Sequence, residues 1–303
     1  MRLRPYNAPG DLAAVEAVRA AVLAAEGDVW LPGPGDDDVA DNLPHCVLAE
    51  LDGRVVGYAW TQWWTEADGT RLYLLTGAVA PDSRGRGVGR ALLARQEARA
   101  AELAAAEGAA RPVLGGNADE SQPGTRALLL AAGFEIAFTK VHLEAATGRY
   151  DAALPTGFDL RPVTPDQHPV LHAAIEACFV DSPNGYVERT FEEYLEEVAE
   201  EQSDLDLWLA AWDGDELAGV VVNTIGADGT GGTPWVAVLP RWRRRGLARA
   251  LMYRSLDLLA ARGVTRTALH TVLENENDSV GLYESVGYEV VARRPRYRKP
   301  LAA

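Results

Sequence analysis

Four segments of this sequence occur twice, in the same order and at a nearly constant offset of about 160 residues, so the fold must be built in two copies. The triplet Leu3–Pro5 returns at Leu160–Pro162, and LAELDGRVVG (Leu48–Gly57) returns as LAAWDGDELAG (Leu209–Gly219) with one residue inserted. AVAPDSRGRGVGRALL (Ala78–Leu93) returns as AVLPRWRRRGLARALM (Ala237–Met252), and AAGFE (Ala131–Glu135) as SVGYE (Ser285–Glu289). At 303 residues the chain is long enough for two hydrophobic cores. The expected domains are 1–150 and 157–303, joined near the turn-rich ATGRYDAALPTG (Ala146–Gly157).

Each copy has the same predicted order of elements. A helix comes first; in the first copy Leu12, Val15, Val18 and Val22 recur at helical spacing. A hairpin follows, with a DG turn at Asp52-Gly53 and at Asp213-Gly214. A strand then runs to a proline (RLYLLTGAV; TPWVAV), followed by an Arg/Gly turn and a long helix. A strand (RPVLGG; TRTALHTV), a second helix and a last strand (FEIAFTKVHL; YEVVARRPRYR) complete the copy. The expected fold class is α/β, an α+β mixed sheet with helices on both faces, present as two tandem units.

The Arg/Gly turn is the feature that calls for chemistry. Helix N-termini favour acidic residues, yet both long helices start in a knot of arginines. Glycine lets backbone N–H groups approach a ligand, and the first helical turn leaves its N–H groups unpaired. With the helix dipole and the arginines this makes an anion site, most naturally for phosphate. A P-loop would need Gly-Lys-Ser/Thr, which neither copy has, and a dinucleotide fingerprint would need a different glycine spacing earlier in the unit.

These turns resemble the Arg/Gln-x-x-Gly-x-Gly/Ala signature of the GNAT superfamily of acyl-CoA N-acyltransferases, and both copies together resemble a tandem member. The signature reads Arg84-Gly85-Arg86-Gly87-Val88-Gly89 in the first copy and Arg243-Arg244-Arg245-Gly246-Leu247-Ala248 in the second. The resemblance implies acetyl-CoA as acyl donor and a sheet that splays beside a bulge. It implies that backbone groups of Val236, Ala237 and Val238 bind the pantetheine arm, with the pyrophosphate on Arg243 through Arg249. The first-copy equivalents are Gly77, Ala78 and Val79, then Arg84 through Arg90.

Acyl transfer to an amine needs a donor for the developing oxyanion and an acid for the leaving thiolate. The resemblance assigns the first to the backbone N–H of Val238 and the second to Tyr283, six residues after Asn277, which is grouped with the cofactor-binding residues. Tyr283 also reads as a core tyrosine, and Asn277 as a helix cap. Alignment of AAGFE with SVGYE sets Leu129 opposite Tyr283 and Pro123 opposite Asn277, so the second copy is the expected catalytic unit and the first a degenerate scaffold. The base stays open: related enzymes carry Glu where Gly232 or Thr233 stands, and Asp228, Asp204, Asp206 or water are the substitutes. His270 is expected to be structural, and Cys46 and Cys178 to be core residues.

A net charge of −15 argues against nucleic acid and mildly favours a cationic small partner. The segment before the second hairpin concentrates Asp181, Glu188, Glu192, Glu193, Glu196, Glu197, Glu200 and Glu201, which form either a rim for a cationic amine or an exposed helix face. Phe191, Tyr194 and Trp208 line either an acceptor pocket or the core. The basic tail Arg293, Arg294, Arg296, Arg298 and Lys299 reads as a solvated last strand. No metal, membrane or secretory leader is expected, and two cysteines without a disulfide framework suit the cytoplasm. The expected partner is a small-molecule primary amine, with the chain a monomeric pseudo-dimer or a homodimer. The rival functions are a non-catalytic acyl-CoA-binding scaffold and a transferase using another acyl donor.

Overall fold

The hairpin turns organise each half of the chain. In a computed structural model, which describes residues 1–7, 9–27, 29–32, 43–180, 182, 185–200 and 204–301, Asp52 and Gly53 both take positive φ (52° and 78°). They join β2 (Val47–Leu51) to β3 (Arg54–Thr65) as a two-residue turn whose twist suits the strands. The second turn sits one residue later than expected. Asp213 pairs with Glu216, so Gly214-Asp215 joins β8 (Leu209–Asp213) to β9 (Glu216–Ile225).

The chain divides into two compact units, Met1–Ala137 with Arg294–Ala303, and Phe138–Arg293. In unit 1 the sheet order is β1 (Arg2–Pro5), β2, β3, β4 (Arg71–Val79), β5 (Pro112–Asn117) and then the end of β12 (Glu289–Pro300). Among the described residues of this unit only β4 and β5 run parallel. Unit 2 repeats the pattern as β7 (Asp159–Arg161), β8, β9, β10 (Gly231–Val238), β11 (Arg266–Val272) and β6 (Glu135–Ala146), with β10 and β11 parallel. Each sheet therefore closes on the last strand of the other sequence repeat.

Side-chain alternation along the central strands builds buried clusters on both faces of each sheet, which bears out a mixed sheet covered on both faces. In unit 1, Tyr58 and Trp60 cluster with Val15, Val18 and Val22 of α1 (Leu12–Glu26), while Ala59 clusters with Val88 and Leu92 of α2 (Val88–Glu107). In unit 2, Val220 and Val222 meet Leu171 and Ile175 of α4 (His168–Phe179), while Val221 meets Leu247 and Leu251 of α6 (Leu247–Ala261). Gly57 and its counterpart Gly219 allow the strands to close up: a Cβ there would lie 2.9 Å from the carbonyl oxygen of Ala78 or Ala237.

The basic tail is not simply solvated. Arg298 makes two hydrogen bonds to Glu66, whose side chain is 4% exposed, and Lys299 lies 2.9 Å from Glu97. Arg294 and Arg296 approach Asp119. These pairs anchor the terminal strand within unit 1. Removing one partner of a buried pair leaves the other uncompensated. Glu66→Ala should therefore lower stability by about 2 kcal/mol in urea denaturation. A loss below about 0.5 kcal/mol would mean that the backbone ladder alone retains the strand.

Candidate active site

A break in β10 creates the site. Gly232 faces Thr224 on β9 and Trp235 faces Val222, so β10 carries one extra residue there. Pro234 stands at this break, where a residue without an N–H does least harm. Among the described residues β10 and β11 pair only at Gly231↔Thr267 and Gly232↔Ala268, and then part. The break is fastened from beneath. Thr233 and Ser255 both donate to Oδ1 of Asn223, at 3.0 and 2.6 Å, and Nδ2 of Asn223 donates to the Leu207 carbonyl. Asn223 and Ser255 are fully buried and Thr233 nearly so. Unit 1 also parts, after Leu74↔Gly115, but β4 pairs with β3 without a break.

Past the break, β10 has outward-facing backbone. The Leu239 N–H donates to the Ala218 carbonyl on the β9 side, and N–H groups alternate along a strand. Val238 and Val236 therefore direct their backbone groups toward the parted side. The Val238 carbonyl accepts from Nε of Arg243 at 2.9 Å, consistent with that direction. Unit 1 is built alike: Ala80 N–H donates to Val56, and Nε of Arg84 donates to the Val79 carbonyl at 3.1 Å.

The Arg/Gly turns fit an anion. Neither α2 nor α6 has a capping side chain or an acidic residue in its first turn. The N-caps Gly87 and Gly246 share one left-handed conformation (φ 82° and 80°). Arg244 takes φ 62° where unit 1 has Gly85 at 73°. A side chain in that region is strained by about 1–2 kcal/mol, and such strain collects at ligand-binding backbone. The initial N–H groups at Leu247, Ala248 and Arg249, and at Val88, Gly89 and Arg90, thus have no acceptor within their helices.

The two turns differ in charge. Arg84 forms an ion pair with Glu26 at 2.8 Å, and Glu26, 7% exposed, also accepts from Gln122. Arg243 instead donates to the neutral Asn277 at 3.3 Å. Asn277 does not cap α7 (Ser279–Glu284); Asp278 does, accepting from the Gly281 N–H. Tyr283 lies in α7, 7% exposed, with its ring 5.9 Å from Tyr288 and in the cluster against which Val236 and Val238 pack. Burial pushes its phenol above the ordinary tyrosine value. Leu129, its counterpart in α3 (Pro123–Ala131), is a core residue against Gly116.

The open candidates for a base have structural duties. Asp228 holds the N–H and hydroxyl of Thr230 in the β9–β10 turn, and those bonds lower its pKa. It stands a full strand away from Val238, roughly 20 Å. Asp204 pairs with Arg262, the main cause of its lowered pKa, and Asp206 lies beside the same guanidinium. His270 stacks on His142 at 4.5 Å. Cys46 is buried, its thiol pushed up to about 12 by burial, whereas Cys178 is half-buried rather than a core residue. Burial raises its thiol and the neighbouring Arg243 partly offsets this.

Two carboxylates of the acidic segment have structural duties. Glu193 forms a capping box with Thr190 at the start of α5 (Phe191–Glu200), and Glu197 pairs with Arg189. Glu188, Glu192, Glu196 and Glu200 are exposed, while Asp181 and Glu201 lie outside the described residues. Tyr194 and Trp208 are core residues around His168, and Phe191 is partly exposed. Sequence reasoning missed the aromatic wall beside the break. Trp235 meets Phe179 edge-on at 5.1 Å and carries the Arg189 guanidinium 4.2 Å above its ring. Glu176, 8% exposed, holds both Arg189 and the Tyr186 hydroxyl. The available signal was Pro234, a proline within a strand.

Among the described residues no helix is long and apolar enough to cross a membrane, and no group of three or more His, Cys, Asp or Glu side chains could hold a metal. The family model described as "Acetyltransferase (GNAT) family" matches residues 15–134 and again 167–288. A mycothiol acetyltransferase of Clavibacter michiganensis subsp. michiganensis is 33% identical over 263 residues, covering 84% of this chain and 79% of that protein. One from Geodermatophilus obscurus is 30% identical over 300 residues, covering 92% and 91%. A GCN5-related N-acetyltransferase from Sphaerobacter thermophilus superposes with a TM-score of 0.73 at 25% identity, covering 100% of this chain and 96% of that one. A tandem GNAT protein from the clavulanic acid biosynthesis pathway shares the fold, with a TM-score of 0.63 at 18% identity and coverage of 100% and 99%. Two family matches in one chain, on the same two turns and parted sheets, make this protein a tandem member of the GNAT acetyltransferase family.

Proposed function

We propose that this protein transfers an acetyl group from acetyl-CoA to the primary amine of a small molecule, by direct attack, in unit 2. The observation that carries the reading is the outward-facing backbone of Val236 and Val238 beside the uncapped start of α6. Acetyl-CoA supplies the activated thioester. Backbone groups of Val236 and Val238 would hold its pantetheine arm, with the diphosphate on Arg243 to Arg249; Ala237, expected to join them, instead turns its backbone toward Val220 on β9. The Val238 N–H serves as donor to the developing oxyanion. Tyr283, kept protonated by burial, serves as acid for the leaving thiolate. Unit 1 acts as scaffold: it has Leu129 in place of the phenol, and Glu26 neutralises Arg84.

The acceptor enters along Trp235, Phe179 and Tyr186. Glu176 is committed to Arg189 and Tyr186, which leaves removal of the amine proton to water. The relatives named as mycothiol acetyltransferases favour mycothiol lacking its acetyl group as acceptor. The exposed carboxylates of α5 favour a cationic amine. Labelled acetyl-CoA with both acceptor types, polyamines and aminoglycosides included, separates the two. No transfer to any amine together with no binding of CoA overturns the proposal, and CoA binding without turnover selects the scaffold reading.

Tyr283→Phe should lower kcat about 100-fold with little change in the KM for acetyl-CoA. Because burial raises this phenol, the wild-type rate should show no loss attributable to its ionisation up to the ordinary tyrosine range near pH 10. Arg243→Ala should weaken acetyl-CoA binding about tenfold by calorimetry, and Arg84→Ala far less. Arg244→Gly should weaken binding too, yet raise stability by about 0.5–1 kcal/mol through relief of positive-φ strain. A fall in thermal midpoint would show that Arg244 is not strained.

A further inference from the structure

Unit 1 contains a cavity of about 340 Å³ away from its Arg/Gly turn. Arg95, Gln96 and Arg99 of α2 form one wall. Leu3 to Pro5 of β1, Pro44 to Val47 at the start of β2, and Thr61 of β3 form the rest. Arg95 and Arg99 lie seven and eleven residues beyond the start of α2, roughly 10 to 16 Å along its axis. The cavity is thus separate from the N–H groups that face a diphosphate.

Its polar lining consists mainly of donors. Among the described residues no carboxylate lines it, although the chain has 44 acidic residues against 29 basic ones. Arg4 is already saturated by Asp11 and Glu50. Arg95 and Arg99 share a single carboxylate, Glu102, at 3.9 and 2.9 Å. Nδ1 of His45 accepts from Nε of Arg99 at 3.2 Å, so the neutral ring carries its proton on Nε2. Burial and the Arg99 charge both favour that neutral ring. The edge of His45 is fixed against Trp63 at 4.8 Å. Nε2 of Gln96 is spent on the carbonyls of Trp60 and Thr76. The Thr61 hydroxyl, in a residue 1% exposed, has no hydrogen-bond partner among the described residues. A buried hydroxyl left unpaired is destabilising by about 1–3 kcal/mol unless something completes it.

We propose that this cavity binds a small molecule through an anionic carboxylate or phosphate group, held by Arg95 and Arg99, with His45 and Thr61 as further donors. Among the described residues, two arginines against one shared carboxylate leave a net positive wall, and guanidinium groups bind both oxyanions in the same forked manner. The volume matches a metabolite rather than a bare ion. The site is independent of acetyl transfer in unit 2.

The test is calorimetric titration of the full-length protein with citrate, succinate and inorganic phosphate in separate arms, repeated on variants. At least one anion should bind, with affinity falling tenfold or more in Arg95→Ala and in Arg99→Ala. A severalfold loss is expected in Thr61→Val, which keeps the side-chain shape, and none in a variant carrying both Arg84→Ala and Arg243→Ala. The better arm, carboxylate or phosphate, names the head group. Arg95 is more than half exposed, so Arg95→Ala tests binding without threatening the fold. Binding of no anion, binding that survives in both arginine variants, or binding that vanishes with the turn arginines instead would overturn the proposal.

Discussion

The extra residue in β10 governs the architecture of unit 2, because everything proposed for its chemistry follows from where that strand stops pairing. A ladder that continued would use the Val236 and Val238 backbone on β11. The bulge diverts the strand and leaves those groups facing outward. A bulge by itself is a weak point, and here a fully buried asparagine stabilises it. Asn223 links the break (Thr233), the helix behind it (Ser255) and the segment that leads into the hairpin (Leu207). A buried amide satisfied on three sides rigidifies its surroundings, whereas a partly satisfied one would destabilise them. In unit 1 a different side chain on the equivalent helix does related work: Gln96 bonds to Trp60 and Thr76 across an unbroken pairing. The repeats thus share a scaffold but place the buried polar link between helix and central strands differently.

Charge separates the repeats in the same way. Both turns place arginine at a helix N-terminus, and both use left-handed positions to do it. Among the described residues only unit 1 supplies an internal carboxylate to the first arginine. Where Glu26 occupies Arg84, an incoming anion has to compete with a partner already in place. Where Asn277 meets Arg243, the charge remains uncompensated by that contact.

The repeat, the two turns and most strands were legible because they are local: a period, a DG or Pro stop, a glycine that must turn. The residues brought around Val238 were legible as a list, since Arg243, Asn277 and Tyr283 sit at spacings the family signature provides. What the sequence hid is what depends on pairing across distance. No local pattern shows that Arg298 finds Glu66, that Asp278 rather than Asn277 caps α7, or that Glu197 is taken by Arg189. The short strands at Arg2–Pro5 and Asp159–Arg161 were visible only as a repeated triplet, too brief for alternation to register. The aromatic wall escaped for another reason: Phe179, Tyr186 and Trp235 lie on three separate segments joined only by the fold.

The exchange of final strands has a consequence for how such a chain comes into being. Residues 138–293 are contiguous and can close their own sheet while synthesis continues. The first 137 residues leave the ribosome long before the strand that completes them exists, and β5 has an open edge until Arg296–Pro300 emerge. The earlier half is therefore finished last, after the later half has already closed its own sheet.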